Sequence, residues 1–232
     1  MRYRVFGRHT GLRISELVLG TGMFGTKWGY GANPEESRLI FDGYLEAGGN
    51  FIDTSDSYQF GEAESLIGEF IRPVRDDVVL ATKFTQSDDP KGSLSVTGNS
   101  RKAMVRSLEQ SLKRLKTDRI DLYWVHMPDG MTPIEEIVRG LDDLVRAGKV
   151  LYAGLSDFPA WRVSAAAMLS EMRGWAPIVA RKPCKVFLRN RTTSLRSWLK
   201  VCRRVLRLHN LSTPMSRRHI GTSHRLGVLL SR

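Results

Sequence analysis

An α/β fold, specifically a (β/α)8 barrel of the TIM type cut short after five to six βα units, is the class that the sequence predicts. Three observations support it. Apolar runs of strand length alternate with amphipathic stretches of helical period through residues 1–180. The repeat recurs about every 30 residues, the length of a right-handed parallel βαβ unit. No G-x-G-x-x-G follows the first parallel strand, which weakens the runner-up, a doubly wound open sheet of Rossmann type.

The elements follow in order. A hairpin comes first, "RYRVF", a turn at "GRHTG", then "RISEL". "ELVLGTGMFG" reads as a buried strand ending in glycines. Asn33 is a good N-cap, with Pro34 at the first helical position and Glu36 three after the cap. Leu39, Ile40, Tyr44 and Ala47 then share a helix face, and Gly48-Gly49 stops the helix. "GNFIDTSDSY" carries the second parallel strand, followed by a helix from Glu62 to about Ile71. "DVVLATKF" is the third strand. Ser100 caps a helix whose Met104, Val105, Leu108, Leu112 and Leu115 recur at helical spacing. "RIDLYWVHMP" is the fourth strand. Thr132, Pro133 and Glu135 predict a capping box for a helix striped by Ile137, Leu141, Leu144 and Val145 and ended by Gly148. "KVLYAGLSDF" is the fifth strand, then comes a helix through Trp161 to Met172, and "APIVA" begins a sixth strand.

Length and composition bound the class. A chain of 232 residues with 41% hydrophobic content is large enough for one sizeable core. The opening "MRYRVFGRHT" has no apolar signal-peptide core, and no stretch approaches a membrane span. Two cysteines make no disulfide framework, so a reducing cytoplasm is the expected compartment. The net charge of +12 suggests nucleic acid until its distribution is read. Residues 181–232 hold 14 of the 36 Lys and Arg and no Asp or Glu, leaving 22 basic against 24 acidic side chains in residues 1–180. The basicity belongs to the tail.

The chemistry gathers at strand ends. In a parallel barrel, reactive groups collect around the mouth formed by the carboxyl ends of the strands. Asp53 and Tyr58 follow the second strand, Lys83 nearly ends the third, and His126 ends the fourth. Reducing a carbonyl by hydride transfer makes an alkoxide that needs a proton as it forms. A tyrosine, with a pKa of about 10, holds that proton at neutral pH. A nearby ammonium stabilises the phenolate left behind. The residues therefore suggest Tyr58 as acid, Lys83 as its tuning cation, Asp53 as the partner of Lys83, and His126 as the group that orients the substrate oxygen.

At these residues the chain resembles a known family. "GNFIDTSDSY", "VVLATKF", "RIDLYWVH" and "GKVLYAGLSDF" resemble, in order and spacing, the signature segments of the aldo-keto reductases over residues 5–180. The resemblance implies a (β/α)8 barrel, NADPH as cofactor and a small aldehyde or ketone as substrate. It places the family's Asp, Tyr, Lys and His on Asp53, Tyr58, Lys83 and His126. It also places the pair that holds the nicotinamide carboxamide on Ser156 and Asp157, where Asp departs from the commoner Asn. Gly22 and Met23 fall where the family's backbone approaches the nicotinamide ribose.

The tail reads differently. Residues 1–180 are expected to form the partial barrel and residues 181–232 a basic tail, translated out of frame or otherwise unrelated to the barrel. With about five of eight units, unpaired strand edges would hold the site poorly and leave activity weak or lost. An alternative is a non-catalytic remnant whose tail binds something acidic. Leu195, Trp198, Leu199, Cys202, Val205 and Leu206 fall on one helical face, with Arg196, Lys200, Arg203 and Arg207 around it. Arginine-rich sequence gives such stripes readily, so no specific nucleic-acid or membrane partner is expected. Cys184, Cys202, His209, His219 and His224 lack a zinc spacing, and no metal is expected.

Overall fold

The computed structural model of the protein describes residues 1–7, 9–89, 91–181 and 229–230. The tail helix expected around residues 195–206 and the cysteines and histidines of residues 184–224 lie outside the described residues.

A short hairpin, β1 (Tyr3–Val5) and β2 (Arg13–Ser15), precedes the main sheet. The sheet carries β3 (Leu17–Gly20), β4 (Phe51–Asp53), β5 (Val79–Phe84), β6 (Ile120–Val125), β7 (Val150–Ser156) and β8 (Ile178–Arg181). All six are parallel and each neighbours the next in chain order, with β9 (Leu229–Leu230) antiparallel on the outer edge of β3. Helices α1 (Pro34–Glu46), α2 (Glu62–Ile71), α3 (Arg101–Leu115), α4 (Ile134–Arg146) and α5 (Ala160–Arg173) fill the crossovers. Sequential strand order is the winding of a barrel; a doubly wound sheet reverses direction at a switch point.

Two layers follow from strand period. Ile52, Leu80, Phe84, Tyr123 and Val125 face the helices and pack with Phe41, Ile67, Met104, Leu108 and Ile137. The alternate residues Phe51, Val79, Ala81, Leu122 and Trp124 face the other way and form a second cluster with Ile14. The hairpin covers that second cluster: the ring of Phe6 meets Phe51 at 5.8 Å and Trp124 at 6.2 Å, both edge-on. Gly154 on β7 makes room there, because a Cβ would sit 2.4 Å from the ring of Trp124.

Local signals explain most helix boundaries. Asn33 and Glu36 form a reciprocal capping box at α1. Past its end the N–H groups of Gly48 and Gly49 donate to Leu45 and Tyr44 carbonyls, with Gly48 at φ +80. The Ser100 hydroxyl accepts from the N–H of Ala103. Three expectations are corrected. Thr132 caps nothing, since α4 starts at Ile134 with Pro133 at its N-cap and no side-chain cap bond. Its hydroxyl and N–H instead both donate to Asp129, which closes the preceding turn. Leu39 and Val105 are exposed by 56% and 40%, because the buried stripes run through Ser37 and Phe41 on α1 and through Met104 and Leu108 on α3.

A buried polar network ties α2 and α3 to the sheet. Glu64 on α2 accepts from the Thr82 hydroxyl of β5 and from Arg114 Nε of α3 at 2.7 Å. Arg114 also pairs with Asp88. Asp56, 1% exposed, accepts from the Ser107 hydroxyl at 2.6 Å. The helices touch closely here: a Cβ on Gly68 would meet the Arg114 carbonyl oxygen at 2.4 Å and Leu115 Cα at 2.8 Å.

Two predictions follow from this layer. Gly68→Ala drives a methyl into α3 backbone rather than a yielding side chain, and is expected to cost about 1–3 kcal/mol. Urea unfolding reads the effect, and an unchanged midpoint refutes the close crossing. The second concerns pH. Burial pushes the Asp56 carboxyl from 3.8 to about 7, with Glu64 adding to the rise and Ser107, Arg114 and Ser55 opposing it. The folded state binds this proton more tightly than the unfolded chain does. The contribution is therefore fully present below pH 3.8 and is lost as pH rises through about 7. Relative to Asp56→Asn, wild type is expected to lose on the order of 2–4 kcal/mol over that rise. Parallel stability–pH curves for the two proteins would exclude it.

Candidate active site

Strand period decides which side chains meet at the carboxyl ends. Asp53 shares its parity with Phe51, Lys83 with Val79 and Ala81, His126 with Leu122 and Trp124, and Ser156 with Tyr152 and Gly154. All four lie on the face turned away from the helices. That common face brings groups far apart in sequence around one point.

The point is the ammonium of Lys83. Its Nζ donates to Asp53 Oδ2 at 2.8 Å, to the Thr54 carbonyl at 2.6 Å and to the Tyr58 hydroxyl at 3.4 Å. Lys83 is 1% exposed and Asp53 4%. A charge buried this deeply persists only with its counter-ion and hydrogen bonds in place. The ammonium also stands 4.9 Å from the centre of the Tyr58 ring.

Tyr58 begins a tight turn, Tyr58–Gly61, in which Gln59 and Phe60 both take left-handed backbone at φ 51 and 52. Side chains without a glycine's freedom hold such a conformation only when the surroundings impose it. Here Gln59 is fully buried, accepts from the Trp28 N–H at 2.8 Å and donates to the Tyr30 carbonyl at 3.0 Å. Glu62 accepts from the N–H groups of Thr26 and Lys27. The chain between β3 and α1 is thereby pinned over the turn. Trp28 meets the Tyr58 ring edge-on at 6.4 Å, and His126 meets it edge-on at 6.0 Å.

His126 follows β6, its N–H donating to the Phe84 carbonyl at 2.9 Å. Its Nδ1 lies 3.2 Å from the hydroxyl of Ser55. Sequence reading passed over Ser55, Thr54, Gln59 and Trp28. Ser55 carried a usable signal: it stands two residues after Asp53, hence on the same side of an extended segment.

The remaining predicted residues lie at or just past the ends of β3 and β7. Gly22 lies beside Tyr58, where a Cβ would touch the ring at 3.8 Å, and Met23 beyond it is 53% exposed. Across the mouth, β7 ends on buried Ser156, and Asp157 follows, exposed and left-handed at φ 58. A hydroxyl that donates beside a carboxylate that accepts matches a primary carboxamide, which offers one oxygen and one NH2. Among the described residues no group of His, Cys, Asp and Glu is arranged to hold a metal ion. Among them, too, no helix is long and apolar enough to cross a membrane.

Known proteins are similar to this sequence. The norsolorinic acid reductase stcV of Emericella nidulans is 43% identical over 171 residues, 70% of this chain and 44% of the relative. The norsolorinic acid reductase of Aspergillus flavus is 39% identical over 184 residues, 75% of this chain and 47% of the relative. An aryl-alcohol dehydrogenase [NADP(+)] of Phanerodontia chrysosporium is 39% identical over 191 residues, 77% of this chain and 50% of the relative. The chain thus spans about half the length of the curated relatives it matches. A sequence model of the Aldo/keto reductase family matches residues 16–204, running past Ala180 into the basic segment. With that match laid over a parallel sheet wound in sequential order, the chain belongs to the aldo/keto reductase family.

Proposed function

We propose that the protein is an oxidoreductase that reduces the carbonyl of a small aldehyde or ketone, with an aromatic aldehyde as the first substrate class to try. The observation that carries this reading is the buried Lys83 ammonium, which bridges the Asp53 carboxylate and the Tyr58 phenol. Family membership and the names of the relatives support it, among them an aryl-alcohol dehydrogenase and two reductases.

Each residue has a task that follows from its chemistry. Tyr58 delivers its hydroxyl proton to the oxygen that becomes the alcohol. Lys83 stabilises the phenolate left behind, and Asp53 holds the ammonium in place. His126 hydrogen-bonds the substrate oxygen and sets its orientation. NADPH, when bound, supplies the hydride. Ser156 and Asp157 would hold its carboxamide, the hydroxyl donating to the oxygen and the carboxylate accepting from the NH2, and Gly22 and Met23 would lie against its ribose. The choice of NADPH over NADH is supported by the NADP(+) in the name of one relative.

Purified full-length chain with NADPH and 4-nitrobenzaldehyde tests the reading through loss of nicotinamide absorbance. Tyr58→Phe removes the acid and is expected to lower kcat about 10²–10⁴-fold while leaving NADPH binding intact. Turnover that survives Tyr58→Phe unchanged, or no turnover in wild type, sinks the assignment. Lys83→Met is expected to abolish turnover and also to destabilise the fold by about 3–5 kcal/mol, since it takes the ammonium from a buried carboxylate. Wild-type stability in that variant would contradict the buried ion pair.

A further inference from the structure

Asp53 and Asp56 stand three apart in "DTSD", and the proposed reaction uses only the first. The second sits behind the site, joined to it by Ser55. The Ser55 hydroxyl is fully buried and lies 3.2 Å from His126 Nδ1 and 3.3 Å from Asp56 Oδ1. Its other neighbours are the Ser57 hydroxyl at 3.1 Å, the Lys83 carbonyl at 3.4 Å and the Ser57 N–H, which donates to it at 3.4 Å. The Ser57 hydroxyl in turn donates to Gln86. A hydroxyl has one proton to give. Asp56 and His126 cannot both receive it.

We propose that Ser55 is a positioning residue that couples the proton on Asp56 to the tautomer of His126. When Asp56 is protonated, its carboxyl donates to Ser55, and Ser55 donates to Nδ1. The neutral ring then carries its proton on Nε2, where it is a donor suited to a carbonyl oxygen. When Asp56 is ionised, it takes the Ser55 proton, and the Ser55 oxygen accepts from Nδ1–H. Nε2 then carries no proton and is an acceptor suited to an alcohol O–H. The Asp56 proton leaves to solvent, and the ring's own proton moves between its two nitrogens through water. The protein thereby changes which redox partner its histidine prefers, carbonyl when Asp56 is protonated and alcohol when it is not.

The surroundings of Asp56 place this change near neutrality. It is faced by Glu64 from α2, Arg114 and Ser107 from α3, and Tyr123 from β6, and its own N–H donates to the Lys83 carbonyl on β5. Burial first, and Glu64 second, hold its carboxyl at about 7. The functional consequence rests on His126 meeting the substrate oxygen as proposed above; the tautomer coupling itself does not.

The coupling is tested without turnover. Full-length chain with 15N-labelled histidine is titrated from about pH 6 to about pH 9, reading the tautomer of the neutral ring from long-range 1H–15N correlations. A His126→Asn sample identifies the His126 signals. Wild type is expected to pass from mainly Nε2–H to mainly Nδ1–H around pH 7. Ser55→Ala and Asp56→Asn are expected to lose the switch, and Ser55→Thr, which keeps the hydroxyl, to retain it. A wild-type tautomer constant across the titration overturns the proposal, as does a switch that persists in Ser55→Ala. Aldehyde reduction without a switch refutes this coupling alone, and a switch without aldehyde reduction refutes the proposed function alone.

Discussion

A single ammonium in a place without water organises this site. Lys83 is the next-to-last residue of a strand whose every residue is buried, so its charge has to be met by protein atoms. Asp53 and the Thr54 carbonyl meet it, and both come from the neighbouring strand's end. Moving β4 against β5 by one residue would turn Asp53 towards the helices and leave the cation facing apolar groups. The pairing of Asp53 with Ala81 therefore sets the buried ion pair as well as the core. Tyr58 comes within reach because its turn is held by Gln59 and Glu62, which accept from the chain between β3 and α1. Two neighbouring strand ends are committed to one buried charge.

How much of this was legible in the sequence depends on the distance over which each signal acts. The strands, the helix stripes and the Asn33 and Ser100 caps were readable because they are written within a few residues. That Asp53, Tyr58, Lys83 and His126 come together was readable because strand ends in a parallel barrel converge by topology, whatever lies between them. Thr132 misled for a local reason: Asp129, three residues earlier, took its hydroxyl and N–H before the helix could. Leu39 and Val105 misled because apolar residues at the border of a stripe look like its members, and only the neighbouring helix decides. Gln59 could not have been read at all. Its strained backbone and its contacts with Trp28 and Tyr30 depend on a loop nearly thirty residues upstream.

The four residues from Asp53 to Asp56 show how one stretch serves two compartments. Asp53 ends β4 with its side chain on the face away from the helices, against a lysine. Ser55 lies on that same side and reaches His126. Past the end of β4, Asp56 is committed to the helix layer, among Ser107, Glu64 and Arg114. Like residues three positions apart thus meet opposite partners, one an ammonium and one a second carboxylate. Environment, not residue type, separates their roles.

That separation also bears on what an aspartate does in the helix layer. An apolar residue at position 56 would fill the space between α2 and α3 with less desolvation, so Asp56 is not a residue that stability alone selects. Its Ser107 bond could be made by an asparagine. What an asparagine cannot do is lose a proton, and the Ser55 hydroxyl, whose one proton both Asp56 and His126 can accept, is the atom that would report the loss. Paired through Arg114 to Asp88, Glu64 leaves a negative charge facing Asp56 and makes the proton there easier to keep. The helix layer behind the sheet then does more than support the site: it sets the proton inventory that the site works with.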